Sequence, residues 1–289
     1  MIHDHQRLET DRPRNAMSVD VEDYFQVSAF EKALAGRDWE SFECRIPRNV
    51  ERILELFDAA GARATFFTLG WVAERFPALV RRIVASGHEV ASHGYQHTRV
   101  TRQSRDDFRA DVKRTKQILE DTTGLPVRGY RAASYSIGAD NLWALDVLGE
   151  TGHVYSSSIY PIRHDLYGMP EAPRFAFRMR ANGILEVPVT TVEFAGGRFP
   201  CGGGGFFRLF PYALSRWAIR RVNRLDRQPG IFYFHPWEID PEQPRIAAQF
   251  KSRFRHYLNL SRMEGRLRRL LADFQWGRLD EVFLRGTGS

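Results

Sequence analysis

The sequence predicts an α/β fold in which parallel strands are wrapped by helices, and three observations carry that expectation. Short apolar, β-rich stretches alternate with amphipathic helical stretches through the first half of the chain. One of them, A-T-F-F-T-L at Ala64–Leu69, is continuously apolar, as a strand covered on both faces should be. Reactive side chains then fall at the ends of predicted strands, where parallel α/β folds gather function. A barrel and a doubly wound sheet both satisfy this alternation.

In chain order, Ala16–Val21 (A-M-S-V-D-V) reads as a buried strand running into acids. Val50, Ile53, Leu54 and Phe57 recur at helical spacing within Asn49–Ala60, and Gly61 stops that helix. Glu74–Ala85 is a second helix, ended by Gly87, and Glu89–Ser92 the next strand. Ser104–Asp121 opens S-R-D-D like a capped helix, with Phe108, Val112, Ile118 and Leu119 on one side and Gly124-Leu125-Pro126 as the stop. A strand near Val127–Arg131, a helix at Asn141–Leu148 and a strand at His153–Ser157 continue the rhythm. It breaks over Pro161–Arg180, which reads as irregular, before a strand at Ile184–Thr191. The run Gly202–Gly205 lacks the Lys-Ser/Thr of a phosphate loop, so its expected use is to let backbone pass close to a ligand or a neighbouring segment. Tyr212–Arg224 is an arginine-rich amphipathic helix, Gly230–Phe234 a strand delivering His235, and Ile246–Phe283 one or two basic helices.

Bulk properties narrow the class. The 289 residues have the apolar and charged fractions of a globular protein with a substantial core. Cys44 and Cys201 form no C-x-x-C pair, which argues against a zinc ribbon or a disulfide scaffold. Residues 1–15 are polar and read as a loose leader with no secretion signal, so the expected location is cytoplasmic, at the inner face of the membrane. The net charge of +7 is concentrated: residues 205–289 hold 16 Lys+Arg and 8 Asp+Glu, hence +8. Such a basic third suits peripheral contact with an acidic membrane surface; with charge as its sole support, nucleic acid is not an expected partner.

Four strand ends carry chemistry: Asp20, Glu22 and Asp23; His93 and His97; Arg131; and His235. If the chain turns helical after Ser92, His93 and His97 share one face and converge on a point. Two neutral imidazoles plus one carboxylate make a three-ligand set that leaves a position open for water, the pattern of a catalytic zinc. Such a metal lowers the pKa of water and polarises a carbonyl. A second carboxylate is then free to take the proton, and a separate acid must protonate the leaving group. Along a strand, Asp20 and Glu22 point the same way while Val21 points into the core.

Together these residues resemble the polysaccharide deacetylase family (NodB-homology, carbohydrate esterase family 4). The matching stretches are S-V-D-V-E-D at Ser18–Asp23, H-G-Y-Q-H at His93–His97, R-A-A-S-Y at Arg131–Tyr135 and F-H at Phe234-His235. D-V-E-D-Y-F-Q-V, S-S-S-I-Y-P-I-R-H-D-L-Y-G, G-G-G-G-F-F-R-L-F-P and Y-F-H-P-W-E-I-D further resemble a subgroup associated with exopolysaccharide synthesis and exosortase (PEP-CTERM) systems. The resemblance implies a distorted (β/α) barrel over residues 16–245, with basic helices 246–289 packed on the same domain. It implies a divalent metal, zinc first, and removal of N-acetyl groups from amino sugars of an N-acetylated polysaccharide, an exopolysaccharide or its lipid-linked precursor. It assigns Asp20 as general base, Glu22, His93 and His97 as metal ligands with Asp23 as the alternative, Arg131 as the residue orienting the base, and His235 as the acid. Tyr135 and Trp237 are the expected aromatic walls for a sugar ring.

Three positions depart from the family pattern. Val21 replaces a ligand Asp, Ala133 replaces the Pro of R-x-P, and Ser156 replaces an acid that helps orient the catalytic histidine, leaving Asp165 or Asp240 as candidate partners for His235. Those departures and the basic tail keep open an inactive polysaccharide-binding scaffold; a small-molecule amidase with a closed pocket, which shares the fold, is a third reading that the long subgroup stretches argue against. His3, His5, His88, His153 and His256 are expected in surface or structural places.

Overall fold

The computed structural model describes residues 13–164, 167–179 and 182–284. In chain order the first half comprises β1 (Asn15–Val21), α1 (Ile46–Ala59), β2 (Thr65–Thr68), α2 (Gly70–Arg75), α3 (Pro77–Ala85), β3 (Glu89–Ser92), α4 (Arg105–Thr123), β4 (Gly129–Tyr130), α5 (Trp143–Glu150) and β5 (Tyr155–Ser156). There follow β6 (Phe177–Arg178), β7 (Leu185–Glu186), β8 (Thr191–Phe194), β9 (Gly197–Pro200), α6 (Gly204–Leu209), α7 (Tyr212–Arg221), β10 (Ile231–Phe234), α8 (Phe250–Tyr257), α9 (Leu260–Asp273), β11 (Trp276–Gly277) and α10 (Leu279–Phe283).

The main sheet runs β10-β1-β2-β3-β4-β5-β7-β6, with β11 also pairing β1. Its neighbours are parallel except β6 and β7. The helical crossovers that parallel pairing requires cover the faces, so β1 and β2 are buried at every position. The result is the predicted α/β architecture in the form of a curled half-barrel. A separate hairpin, β8–β9, stands off it.

Register does the positioning. Val19 pairs with Phe66 and Phe234, Thr68 with Ser92, and Ser92 with Tyr130. The residues just past those rungs, Asp20, His93, Arg131 and His235, therefore emerge at one rim of the sheet. Beneath them Val19, Val21, Phe66 and Phe234 share a core with Met263, Leu267 and Leu270 of α9, all wholly buried. Truncating a side chain buried this way costs about 2–5 kcal/mol, so the basic C-terminal helices stabilise the sheet as well as cover it.

Several expected elements are corrected. The single helix expected over Glu74–Ala85 is two, α2 and α3, because Pro77 forces Phe76 out of helical conformation (φ −128°, ψ 55°). The strand expected over Ile184–Thr191 is divided between β7 in the main sheet and β8 in the hairpin. The leader expected to reach residue 15 ends earlier, since Asn15 already belongs to β1 and is buried. Strand β11 was not anticipated. No helix among the described residues is long and apolar enough to cross a membrane.

Candidate metal centre and active site

The β1 strand presents Asp20 and Glu22 on the same side, as alternation requires. Asp20 Oδ1 accepts a 2.5 Å hydrogen bond from Arg131 Nη1. Arg131 is fully buried, donates also to Ser18 Oγ (2.9 Å), Ser157 O (3.0 Å) and Ser157 Oγ (3.0 Å), and lies over the Phe67 ring. A guanidinium held by so many acceptors is a fixed fork, and it sets the orientation of the Asp20 carboxylate.

Glu22 turns one oxygen to each imidazole: Oε2 lies 2.8 Å from His97 Nε2 and Oε1 3.3 Å from His235 Nε2. Burial, the largest influence, opposes its ionisation, but the neighbouring His97 and His235 outweigh it and hold the carboxyl down at about 2. His93 donates from Nδ1 to the Arg131 carbonyl at 2.8 Å, which leaves Nε2 with its lone pair facing the site. Burial lowers His93 to about 4, so it is neutral, the form in which an imidazole ligates a metal. One donor atom each from Glu22, His93 and His97 lie within 4.8 Å of one another. An ionised carboxylate, a neutral oriented imidazole and a second imidazole, all aimed at one point, fit a divalent cation.

The two histidines meet by a different route from the one expected. Residues 93–97 are not helical: Gly94 (φ +75°) and His97 (φ +54°) are left-handed, which a right-handed helix excludes. The loop is held because Gly70 and Trp71, at the start of α2, donate their N–H groups to the Gly94 and Tyr95 carbonyls. Tyr95 N–H in turn donates to Asp111 (3.1 Å).

Asp23, the alternative ligand, is occupied elsewhere. Its Oδ2 accepts from the N–H groups of Arg45 (2.5 Å) and Ile46 (3.1 Å), capping α1, and Oδ1 accepts from Tyr24 N–H. Burial raises it to about 6 despite those bonds.

His235 follows β10 with Nε2 4.0 Å from Asp20 Oδ2. Burial opposes its cation, but Glu22, Glu238 and Asp20 together outweigh that and raise it to about 9. Among the described residues its partner is not Asp240. Asp165 lies outside the described residues, and Asp240 sits beside Arg45 (3.5 Å). Ser156, at the position of the usual acid, bonds Ser158 Oγ (2.8 Å). Glu238 takes the role: its Oε2 accepts from His235 N–H (2.9 Å) and Nδ1 (3.0 Å), while Oε1 accepts from buried Arg208 Nε (2.7 Å). Arg208 is anchored by the carbonyls of Arg255, His256 and Leu258. Arg208 and His235 overcome the burial of Glu238 and hold it at about 2. The H-P-W-E spacing was the available signal for Glu238; nothing local marked Arg208.

The glycine run passes close to neighbouring segments, as expected. A Cβ on Gly202 would stand 2.4 Å from the Ile231 carbonyl, on Gly203 2.7 Å from the Tyr233 ring, and on Gly204 2.2 Å from Glu238 Oε2. Tyr135 and Trp237 are 5% and 6% exposed, and Trp237 stacks on His235 and His256, so the ring surface they leave for a sugar is small. His88, His153 and His256 are buried structural residues; His3 and His5 lie outside the described residues.

An open β/α half-barrel whose carboxylates and imidazoles meet at one rim is the class these residues define. Residues 39–153 match the family described as Polysaccharide deacetylase, and residues 157–284 match one described as a domain of unknown function, DUF3473. In its 39–153 segment the chain is thus similar to the polysaccharide deacetylase family. A peptidoglycan-N-acetylglucosamine deacetylase of Bacillus cereus is 36% identical over 73 residues, which is 25% of this chain and 26% of that relative. The chain thus spans about a quarter of that curated relative's length. Among solved structures, a putative polysaccharide deacetylase from Mycobacterium smegmatis superposes with TM-score 0.59 at 17% identity, covering 93% of this chain and 89% of the other. A CE4 family pseudoenzyme from Bacillus anthracis gives 0.50 at 14%, covering 94% and 65%. The fold is therefore shared with relatives described both as deacetylases and as a pseudoenzyme, and function has to be argued from the site.

Proposed function

We propose that the protein is a divalent-metal-dependent N-deacetylase acting on amino sugars of an exopolysaccharide or its lipid-linked precursor. The observation that carries this is the convergence of Glu22, His93 and His97 beside an Arg131-held Asp20 and a Glu238-held His235. Glu22, His93 and His97 would hold the cation, zinc first, and the chemistry it would supply there is Lewis acidity toward water and the acetamide carbonyl. Asp20 Oδ2, the oxygen not bonded to Arg131, takes the proton of the attacking water. His235 Nε2 gives a proton to the amine nitrogen as its bond to the acetyl carbon breaks and acetate departs. Arg131 keeps Asp20 in place, and Glu238 fixes the tautomer and plane of His235. We read residues from 246 onward as part of the same catalytic unit, because α9 completes its core. Tyr135 and Trp237 contribute at most their ring edges to sugar binding.

The exopolysaccharide assignment rests on the long subgroup stretches, and action at the inner face of a membrane on the +8 charge of residues 205–289. The scaffold reading draws on Val21, Ala133, Ser156 and the basic C-terminal third; the Glu238 contact to His235 Nδ1 answers the Ser156 part of it. Acetate release from N-acetylated oligosaccharides, measured with and without chelator, tests the proposal. Turnover that stops on chelation and in Asp20→Asn supports it. A metal-loaded protein that releases no acetate from any of them, or full turnover by His93→Ala with metal excluded, overturns it.

A further inference from the structure

Helix α7 buries Ser215, Ala218 and Ile219 and is followed by a wider turn, Val222–Asp226, that buries Val222. Its outward face carries Leu214, Trp217 and Leu225 together with Arg216, Arg220, Arg221 and Arg224. The β8–β9 hairpin leans on this helix, Val192 packing with Ala218 and Val222, and sets the Phe194 ring edge-on against Trp217 at 5.4 Å. Leu225 is 64% exposed and Phe194 53%. Large apolar side chains left in water side by side mark an interaction surface.

We propose that the protein docks peripherally on an anionic lipid surface through this outward face of α7 and the adjoining hairpin. Two features select lipid over other occupants. The apolar residues lie among arginines: Arg216 is partly matched by Asp273 at 3.0 Å and Arg221 donates to the Glu193 carbonyl, whereas Arg224 stands exposed. A second copy meeting this face across a twofold axis would set arginines against arginines, which like-charge repulsion disfavours. Leu214 and Leu225 are aliphatic, and Phe194 and Trp217 meet edge-on instead of forming one flat platform for a sugar, whereas acyl chains accept all four. Arginine stems can lie along the same apolar surface with their guanidinium groups among lipid phosphates. This is the arrangement of an interfacial helix: apolar residues entering the acyl boundary, with basic ones at headgroup level.

The inference deepens the membrane contact proposed above and is independent of the chemistry at the strand ends. Flotation of the full chain with vesicles tests it without reading deacetylation. Vesicles of phosphatidylcholine with about 30% phosphatidylglycerol should carry the protein up, and phosphatidylcholine alone should do so far less. Arg224→Ser should lower the partition coefficient about fivefold, and Phe194→Ser with Leu225→Ser about tenfold or more, each with an unchanged circular dichroism spectrum. Three results would overturn the proposal: no flotation with the anionic vesicles, undiminished flotation of the double variant, or a lipid-free dimer that the double variant dissociates. If flotation fails while acetate release persists, the docking surface is wrong and the deacetylase reading stands; the reverse pattern leaves the docking surface standing.

Discussion

Glu238 accepts hydrogen bonds from both the backbone N–H of His235 (2.9 Å) and its ring Nδ1 (3.0 Å), so one carboxylate oxygen sets the plane and the tautomer of the imidazole. The function of that contact is orientation, and its loss should appear in turnover before binding. Glu238→Gln, which keeps the shape and removes the charge, is expected to lower kcat about 100-fold with KM little changed. Steady-state acetate release measures both constants, and an unaltered kcat would exclude the positioning role.

Arg208 neutralises Glu238 from the other side, with neither side chain reaching solvent. Removing one member of such a pair strands a buried charge. Arg208→Met should therefore cost about 3–5 kcal/mol of stability. The double variant Arg208→Met/Glu238→Gln should recover part of that loss, since the stranded charge is gone. Urea unfolding of the two proteins decides the matter.

At Gly204 any side chain collides with the Glu238 carboxylate, 2.2 Å from the position of a Cβ. Gly204→Ala is expected to displace Glu238 from His235 and so to lower kcat as well as the unfolding midpoint. A variant that is destabilised but turns over normally would break the link between the glycine run and the imidazole.

Metal affinity should follow the donor set. Isothermal titration with zinc at neutral pH should give one site per chain. Replacing a ligand is expected to weaken it by more than the roughly 10–100-fold typical of changes to a ligand's hydrogen-bond partners. Glu22→Gln and His93→Ala should both show this, whereas Asp23→Asn should lose stability through the α1 cap and leave the zinc affinity in place.

A further expectation concerns pH. Glu89, buried, accepts from Thr65 Oγ1 (2.5 Å) and Tyr155 Oη (3.0 Å), and burial with the nearby Asp280 pushes it up to about 8 from its ordinary 4.5. Because the folded pKa is raised, its contribution is fully present below about 4.5 and is lost as pH rises through about 8. Urea midpoints taken between those limits should fall with pH in the parent protein and fall less in Glu89→Gln. Parallel slopes in the two proteins would refute the assignment.

Much of this was legible in the sequence because strand ends are local features. The stretches that become β1, β3, β4 and β10 end within one residue of the site residues they carry, so Asp20, His93, Arg131 and His235 could be placed on one rim without coordinates. What could not be read depended on distant partners. Glu238 sits three residues from His235, but its meaning comes from Arg208, thirty positions away and held by carbonyls of α8 and the turn after it. Asp23 reads as a ligand beside Glu22 until α1 supplies the N–H groups that claim it. The loop carrying His97 is left-handed because α2 needs its carbonyls, a demand that no spacing rule contains. Strand β11 is two residues long, too short to leave a periodic signature.

Strand β1 carries Asp20 and Glu22 near the start of the chain, yet its neighbours are β2 on one side and β10 on the other, with β11 near its beginning. During synthesis, then, β1 waits for more than two hundred residues before its second flank emerges from the ribosome. The same late strand brings His235. A nascent or interrupted chain that stops short of residue 231 therefore lacks both the β10 flank beside the acids and His235. The acids and the imidazole are therefore brought together by one pairing, made late in the chain.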